Sequence, residues 1–154
     1  MSFFDAINIA ATGLTAERVR MDVTSENLAN ADTTQGANGQ PYQRQEVVLA
    51  QQGGGFSDAL AGAMGSTPIG TTQVNGSAAG GVAVEGIVDD PTPDQSVYDP
   101  GNPAANSQGY VKMPNVNPVN EMVDMIDESR SYESDVTAMN TAKTMYEKTL
   151  DLLK

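Results

Sequence analysis

Beyond Pro118 the chain contains neither Gly nor Pro, and its apolar residues recur there at alternating spacings of three and four. The ten positions of this seam hold Met122, Met125, Ser129, Tyr132, Val136, Met139, Lys143, Tyr146, Leu150 and Leu153, and eight of the ten are apolar or aromatic. That spacing is helical. Sustained for about five heptads, it favours left-handed packing against another helix. Pro118 suits the first helical position, and Asn117 before it suits the N-cap. The pattern therefore predicts one helix from 118 to 154.

A second, weaker seam lies at the other end. Residues 4–29 read as a helix whose 3,4 positions are Phe4, Ile7, Ala11, Leu14, Arg18, Met21, Ser25 and Leu28, six of eight apolar. Gly13 costs this helix about 1 kcal/mol relative to Ala. Each seam can bury its stripe only against another helix, and the first available partner is the other terminus of the same chain.

The material for a core is sparse. Leu, Ile, Val and Phe make up 29 of 154 residues, while Ala and Gly supply 18 and 15. That falls just under the level of about 20% at which a strongly charged chain becomes suspect as disordered. Burying a large apolar side chain contributes about 1.5–3 kcal/mol, and ordering a residue costs about 1–2 kcal/mol. A single pair of helices is marginal on that arithmetic, which points to assembly with further helices. In the isolated chain the terminal helices are expected to be largely disordered and to fold on assembly.

Between the helices the pattern changes. Residues 42–50 read as a short strand, Val82 to Val88 as a second, and Tyr110, Val111 and Met113 as a third. Residues 53–81 contain nine glycines and read as a low-complexity loop. Residues 89–108 hold Pro91, Pro93, Pro100 and Pro103 and read as an extended acidic connection. The fold class is α+β: paired, coiled-coil-like terminal helices with a small β-rich insertion. The expected division is a helical domain of residues 1–35 and 115–154, with an insertion of residues 36–114 carrying a Gly-rich loop at 51–81.

Composition removes most chemistry. With no Cys there is no disulfide, thiolate nucleophile or Cys-ligated metal centre. With no His, the commonest general base and transition-metal ligand is missing. No residue pattern supports an enzyme, and no catalytic, cofactor or metal site is expected. The formal net charge is −12, and all basic residues lie in or beside the terminal segments. Such a chain is repelled by phosphate backbones, so nucleic acid is not an expected partner. The first basic residue is Arg18, and Asp5 and Asn8 interrupt the apolar start, so no secretory signal is read. No window approaches 18 apolar residues, so no membrane span is expected.

Most local motifs have plain explanations. Asp89-Asp90-Pro91-Thr92-Pro93-Asp94 lacks the order and distal Glu of a calcium loop and reads as solvated acid. Asn75-Gly76-Ser77 is a bare glycosylation sequon, and Gly53–Gly55 is not followed by the Lys of a phosphate loop. Asp127 and Glu128 are neighbours on a helix and point apart. The segment from Ser25 through Glu26, Asn27, Leu28, Ala29, Asn30, Ala31 and Asp32 to Thr33 and Thr34 has the residues that end helices and make side-chain turns.

Taken together, these segments resemble the bacterial flagellar rod/hook axial protein family, and within it the proximal-rod subunits. The resemblance runs from Phe3 to about Val48. It includes Ser25, Asn27, Leu28, Ala29, Asn30 and Thr33 at the end of the first helix, then the run Gly39-Gln40-Pro41-Tyr42-Gln43-Arg44-Gln45-Glu46. It resumes from Gly86 to Lys154, through Val97-Tyr98-Asp99-Pro100-Gly101-Asn102-Pro103, then Lys112-Met113-Pro114-Asn115-Val116-Asn117, and Ser129-Arg130-Ser131-Tyr132-Glu133. About three quarters of the chain is covered. Residues 51–81 are longer and richer in Gly than the family pattern.

The resemblance implies a structural subunit of the proximal rod, with no cofactor. It implies export through the flagellar type III apparatus without a cleaved signal, and polymerisation into a helical tube that crosses the periplasm. That tube transmits torque and encloses the export channel. Implied partners are further copies, other rod subunits, membrane-ring or rod-adaptor proteins at the rod base, and the export apparatus. The expected interface residues are Phe4, Ile7, Leu14, Met21, Leu28, Met122, Met125, Tyr132, Val136, Met139, Tyr146, Leu150 and Leu153. The competing readings are another axial protein, such as a different rod subunit or the hook, and a cytoplasmic coiled-coil adaptor.

Overall fold

The computed structural model describes residues 3–36, 38–52 and 80–152, with the side chains of Phe3 and Phe4 left aside. Two helices carry the architecture. Helix α1 spans Phe3–Ala29 and helix α2 spans Pro118–Asp151. At 1.5 Å per residue they are about 40 Å and about 51 Å long. They run antiparallel: Asn27 bonds to Glu121, Thr24 bonds to Glu128, and Gly13 lies beside Asp135. A Cβ at Gly13 would sit 2.7 Å from the Asp135 carboxylate. The glycine that weakens α1 is therefore where α2 comes close. Helix α2 starts as expected, with Pro118 in the first turn and the Asn117 side chain accepting from the Val119 and Asn120 amides.

Two antiparallel ribbons lie between the helices. Strands β1 (Gln45–Gln51) and β2 (Val82–Asp89) pair from Gln45 opposite Asp89 to Gln51 opposite Val82. The register shifts between Val48 and Leu49, which leaves Glu85 as the extra residue of a bulge. Strands β3 (Gln95–Tyr98) and β4 (Tyr110–Met113) pair from Gln95 opposite Met113 to Tyr98 opposite Tyr110.

Strand β3 corrects the expectation that 89–108 is only an extended connection. The connection after it folds back on itself. The Asn106 carboxamide accepts from the Gln108 and Tyr110 amides, and Gly109 takes φ +82°. The Tyr98 and Tyr110 rings then meet edge-to-face at 5.3 Å. Side-chain-closed turns override the prolines as punctuation. The first strand also begins later than residue 42: the Tyr42 amide donates to the Thr33 carbonyl, while the Arg44 carbonyl accepts from the Asp90 amide at the start of the ribbon. The expected loop at 53–81 falls, apart from Gly80 and Gly81, outside the described residues.

The core is thin. Among the described residues Ala16, Val23, Val111, Pro114 and Val116 are buried apolar residues, and four polar ones, Thr24, Asn27, Glu121 and Glu128, are buried with them. Among the described residues no helix is long and apolar enough to cross a membrane.

Candidate assembly surface

The centre of the molecule is a polar lock where α1, α2 and the start of β1 meet. Asn27, 1% exposed, uses its whole carboxamide. Its nitrogen donates to the Gln45 carbonyl at 2.9 Å and to Glu121 Oε2 at 3.1 Å. Its oxygen accepts from the Gln45 amide and the Tyr42 hydroxyl, both at 2.9 Å. An amide is the side chain whose donors and acceptors fit all four groups.

Glu121 is equally buried and is neutralised by Arg44, whose Nε lies 2.6 Å from Oε1. Arg44 also pairs with Glu46, and it reaches Asp90 at 3.5 Å and Asp124 at 3.6 Å. Burial works against the Arg44 charge, but hydrogen bonds to Glu121 and Glu46 outweigh it and raise the guanidinium above its ordinary value. Burial, and then the charges of Glu26, Asp89 and Glu121, push the Tyr42 hydroxyl up as well.

Asn115 closes the other side of the lock. Its oxygen accepts from the Arg44 amide at 2.7 Å, and its nitrogen donates to Thr92 Oγ1 at 2.8 Å. The insertion is thereby tied to the helices by side-chain hydrogen bonds as well as by the buried Val111. Two turns further along α2, Glu128 is 4% exposed. Its Oε1 accepts from Thr24 at 3.1 Å and faces Arg20 at 3.6 Å, while Oε2 has no hydrogen-bond partner among the described residues. Burial raises the Glu128 carboxyl above its usual range, opposed by Thr24 and Arg20.

The face that α2 turns to α1 departs from the expected seam at two positions, where Glu121 and Glu128 are buried instead of Met122 and Ser129, while the seam residues Met125, Val136 and Met139 are half-buried. Glu121, Glu128 and Asp135 lie inward, together with Asp124, Met125, Val136, Met139 and Ala142. Met122, Tyr132, Tyr146 and Leu150 are exposed. The reason is the lock: Arg44, Thr24 and Arg20 bind carboxylates at seam-adjacent positions, and the helix presents them there. Ile7, Leu14, Met21 and Leu28 of α1 are half-buried. Phe4 and Leu153 lie outside the described side chains.

The residues of the family signature divide by role. Asn27, Asn115 and Asn117 make the lock and the cap. Asn30 donates to the Glu26 carbonyl and accepts from Thr33, which closes the end of α1. Val116 is buried, Leu28 half-buried, and Ser25 and Ala29 exposed. The sequence reading assigned no role to Arg44, Glu121, Glu128, Tyr42 or Thr24. The available signal was that Glu121 and Glu128 are seven residues apart, two heptad-equivalent acids on a chain whose basic residues are few.

Among the described residues, two apolar surfaces stand beside the helix pair. Val119, Met122, Val123 and Ile126 follow the i, i+3, i+4, i+7 pattern along the first turns of α2 and are 46–63% exposed. A groove of about 710 Å³ separates α1 from the end of the β1–β2 ribbon. It is lined by Ile9, Ala16, Val19, Val82 and Val84 among others.

The comparisons agree with this geometry. Residues 7–38 match the family model described as flagella basal body rod protein. Residues 107–152 match the model described as flagellar basal body rod FlgEFG protein C-terminal. The chain is 46% identical to the flagellar basal-body rod protein FlgC of Bacillus subtilis, over 100% of both chains. It is 41% identical to FlgC of Escherichia coli O6:H1, covering 99% of this chain and 98% of that one. It is 38% identical to FlgC of Borreliella burgdorferi, over 100% and 99%.

Proposed function

The chain belongs to the FlgC family of flagellar basal-body rod proteins, and from that premise we propose that it is a structural subunit of the proximal rod. The observation that carries this reading is the exposed apolar stripe Val119, Met122, Val123 and Ile126 beside a helix pair already joined by its polar lock. Neighbouring subunits supply the helices that cover the stripe. Many modest helix contacts, summed over subunits, make a shaft that resists torque.

In this reading the partners are further copies, other rod subunits, proteins at the rod base and the export apparatus that delivers the chain. The chain is exported without a cleaved signal and works in the periplasmic part of the basal body. It is structural rather than catalytic, in keeping with a sequence that has no His or Cys. Interface residues are drawn from Met122, Tyr132, Tyr146 and Leu150 on the exposed side of α2. Ile7, Leu14, Met21, Met125, Val136 and Met139 serve contacts both within and between subunits.

Replacing Val136 with Asp tests the reading. It places a charge on the seam, so cells that produce the full-length variant at normal levels should not swim. Normal swimming of that strain would count against it.

A further inference from the structure

Next to the lock is a cleft of about 190 Å³ between α1, the start of β1 and α2. Its charged lining is Arg20, Arg44, Glu46, Asp124 and Glu128. Both arginines are heavily shared: Arg20 pairs with Glu17 and Glu128, and Arg44 with Glu46, Asp90, Glu121 and Asp124. Six carboxylates thus divide two guanidiniums, a local surplus of four negative charges. Glu128 Oε2 is buried there with no hydrogen bond among the described residues. A buried carboxylate oxygen left unmatched is costly and calls for a cation or donor from elsewhere.

The chain also carries the complement. Arg18 and Arg130 are exposed and make no ion pair among the described residues. Arg130 lies two residues beyond Glu128. Two residues turn an α-helix by about 200°, so Arg130 leaves α2 at the height of Glu128 on the opposite side. Acceptor and donor at one height on opposite faces form a heterologous pair. Repeated from copy to copy, such a pair builds rings or open helical arrays rather than closed dimers.

We infer that this cleft is a socket for a cationic side chain of a second copy, and that Arg130 is that side chain. The inference rests on the reading of the chain as a polymerising rod subunit and names one of its contacts. The guanidinium meets Glu128 Oε2 with Asp124 and Glu46 at the rim. Arg18 leaves from the other helix and is the control.

The test uses full-length chains in cells lacking the native copy, with basal bodies purified for each. Arg130→Glu should cut incorporation at least tenfold, while Arg130→Lys and Arg18→Glu stay near wild type. The absence of native Cys permits a direct readout that leaves both charges in place: oxidised basal bodies carrying Val47→Cys on the cleft and Ser134→Cys one turn beyond Arg130 should yield a disulfide-linked species of twice the chain's mass. Should Arg130→Glu melt below wild type, Arg130→Gln removes the charge without adding one and carries the same expectation. Normal incorporation of the charge variants would overturn the inference. So would a cysteine pair that never links two copies, or one that links this chain to a different rod protein. Absence of the wild-type chain from basal bodies would instead overturn the rod reading itself.

Discussion

Replacing Asn27 with Ala should cost about 2–5 kcal/mol. The largest part comes from Glu121 Oε2, which is buried and loses its only Asn27 donor; an unmatched buried group of this kind costs about 1–3 kcal/mol. Gln45 and Tyr42 lose partners too, but both are only half-buried and recover hydrogen bonds to water, so each adds about 0.5–1 kcal/mol. Asn27→Asp keeps the shape but sets a carboxylate against Glu121 across 3.1 Å, so at neutral pH it should be at least as damaging. The double variant Asn27→Asp/Glu121→Gln restores one donor and one acceptor across the same gap. It should recover about 1–2 kcal/mol relative to the sum of the single changes. Urea denaturation of the four full-length chains, with the double-mutant cycle computed from the midpoints, measures the coupling. A loss below about 0.5 kcal/mol for Asn27→Ala, or no recovery in the double variant, would refute the assignment of Asn27 and Glu121 as one lock.

Four further outcomes follow from particular groups. Glu128 has a folded-state pKa raised above its ordinary 4.5, so its contribution is full below that value and is lost as pH rises through the folded value. Thermal melts from pH 4 to 8 should show that loss, and Glu128→Gln should flatten it. Asp90 works in the opposite sense: bonds from Thr92 and the charge of Arg44 hold its carboxyl below 3.8, so its share is lost as pH falls through the folded value. Gly109→Ala forces a side chain into φ +82° with its Cβ 2.8 Å from the Tyr98 ring. It should destabilise the β3–β4 ribbon by about 1–2 kcal/mol, read as faster hydrogen exchange confined to 95–113. Asn117→Ala removes the cap of α2 and should cost about 1 kcal/mol in the same denaturation assay.

The parts of the fold that were legible in the sequence are those set by local rules. Pro118 and Asn117 mark the start of α2 because capping and the fixed proline φ act within one turn. The hydrophobic spacing located both helices because 3.6 residues per turn is a property of the backbone. The acidic part of the inward face of α2 was not legible. Periodicity placed Met122 and Ser129 on the seam, but the structure turns Glu121 and Glu128 inward because Arg44, Thr24 and Arg20 meet them there. Those partners lie 77 to 108 residues away in sequence, and no local pattern announces them. Strand β3 was missed for a related reason: it exists through its pairing with β4, while its own four residues are all exposed. The signature asparagines were recognised by resemblance, but their work became visible only once α1, β1 and α2 were brought together.

Cross-linking mass spectrometry on purified, detergent-washed basal bodies tests the central claim most directly. Lys143 and Lys148 lie on the exposed part of α2 and are the natural reporters. The account predicts that the chain is present in these particles and that both lysines link to other copies or to other rod subunits. A basal body without the chain, or one in which every cross-link stays within a single copy, would contradict it.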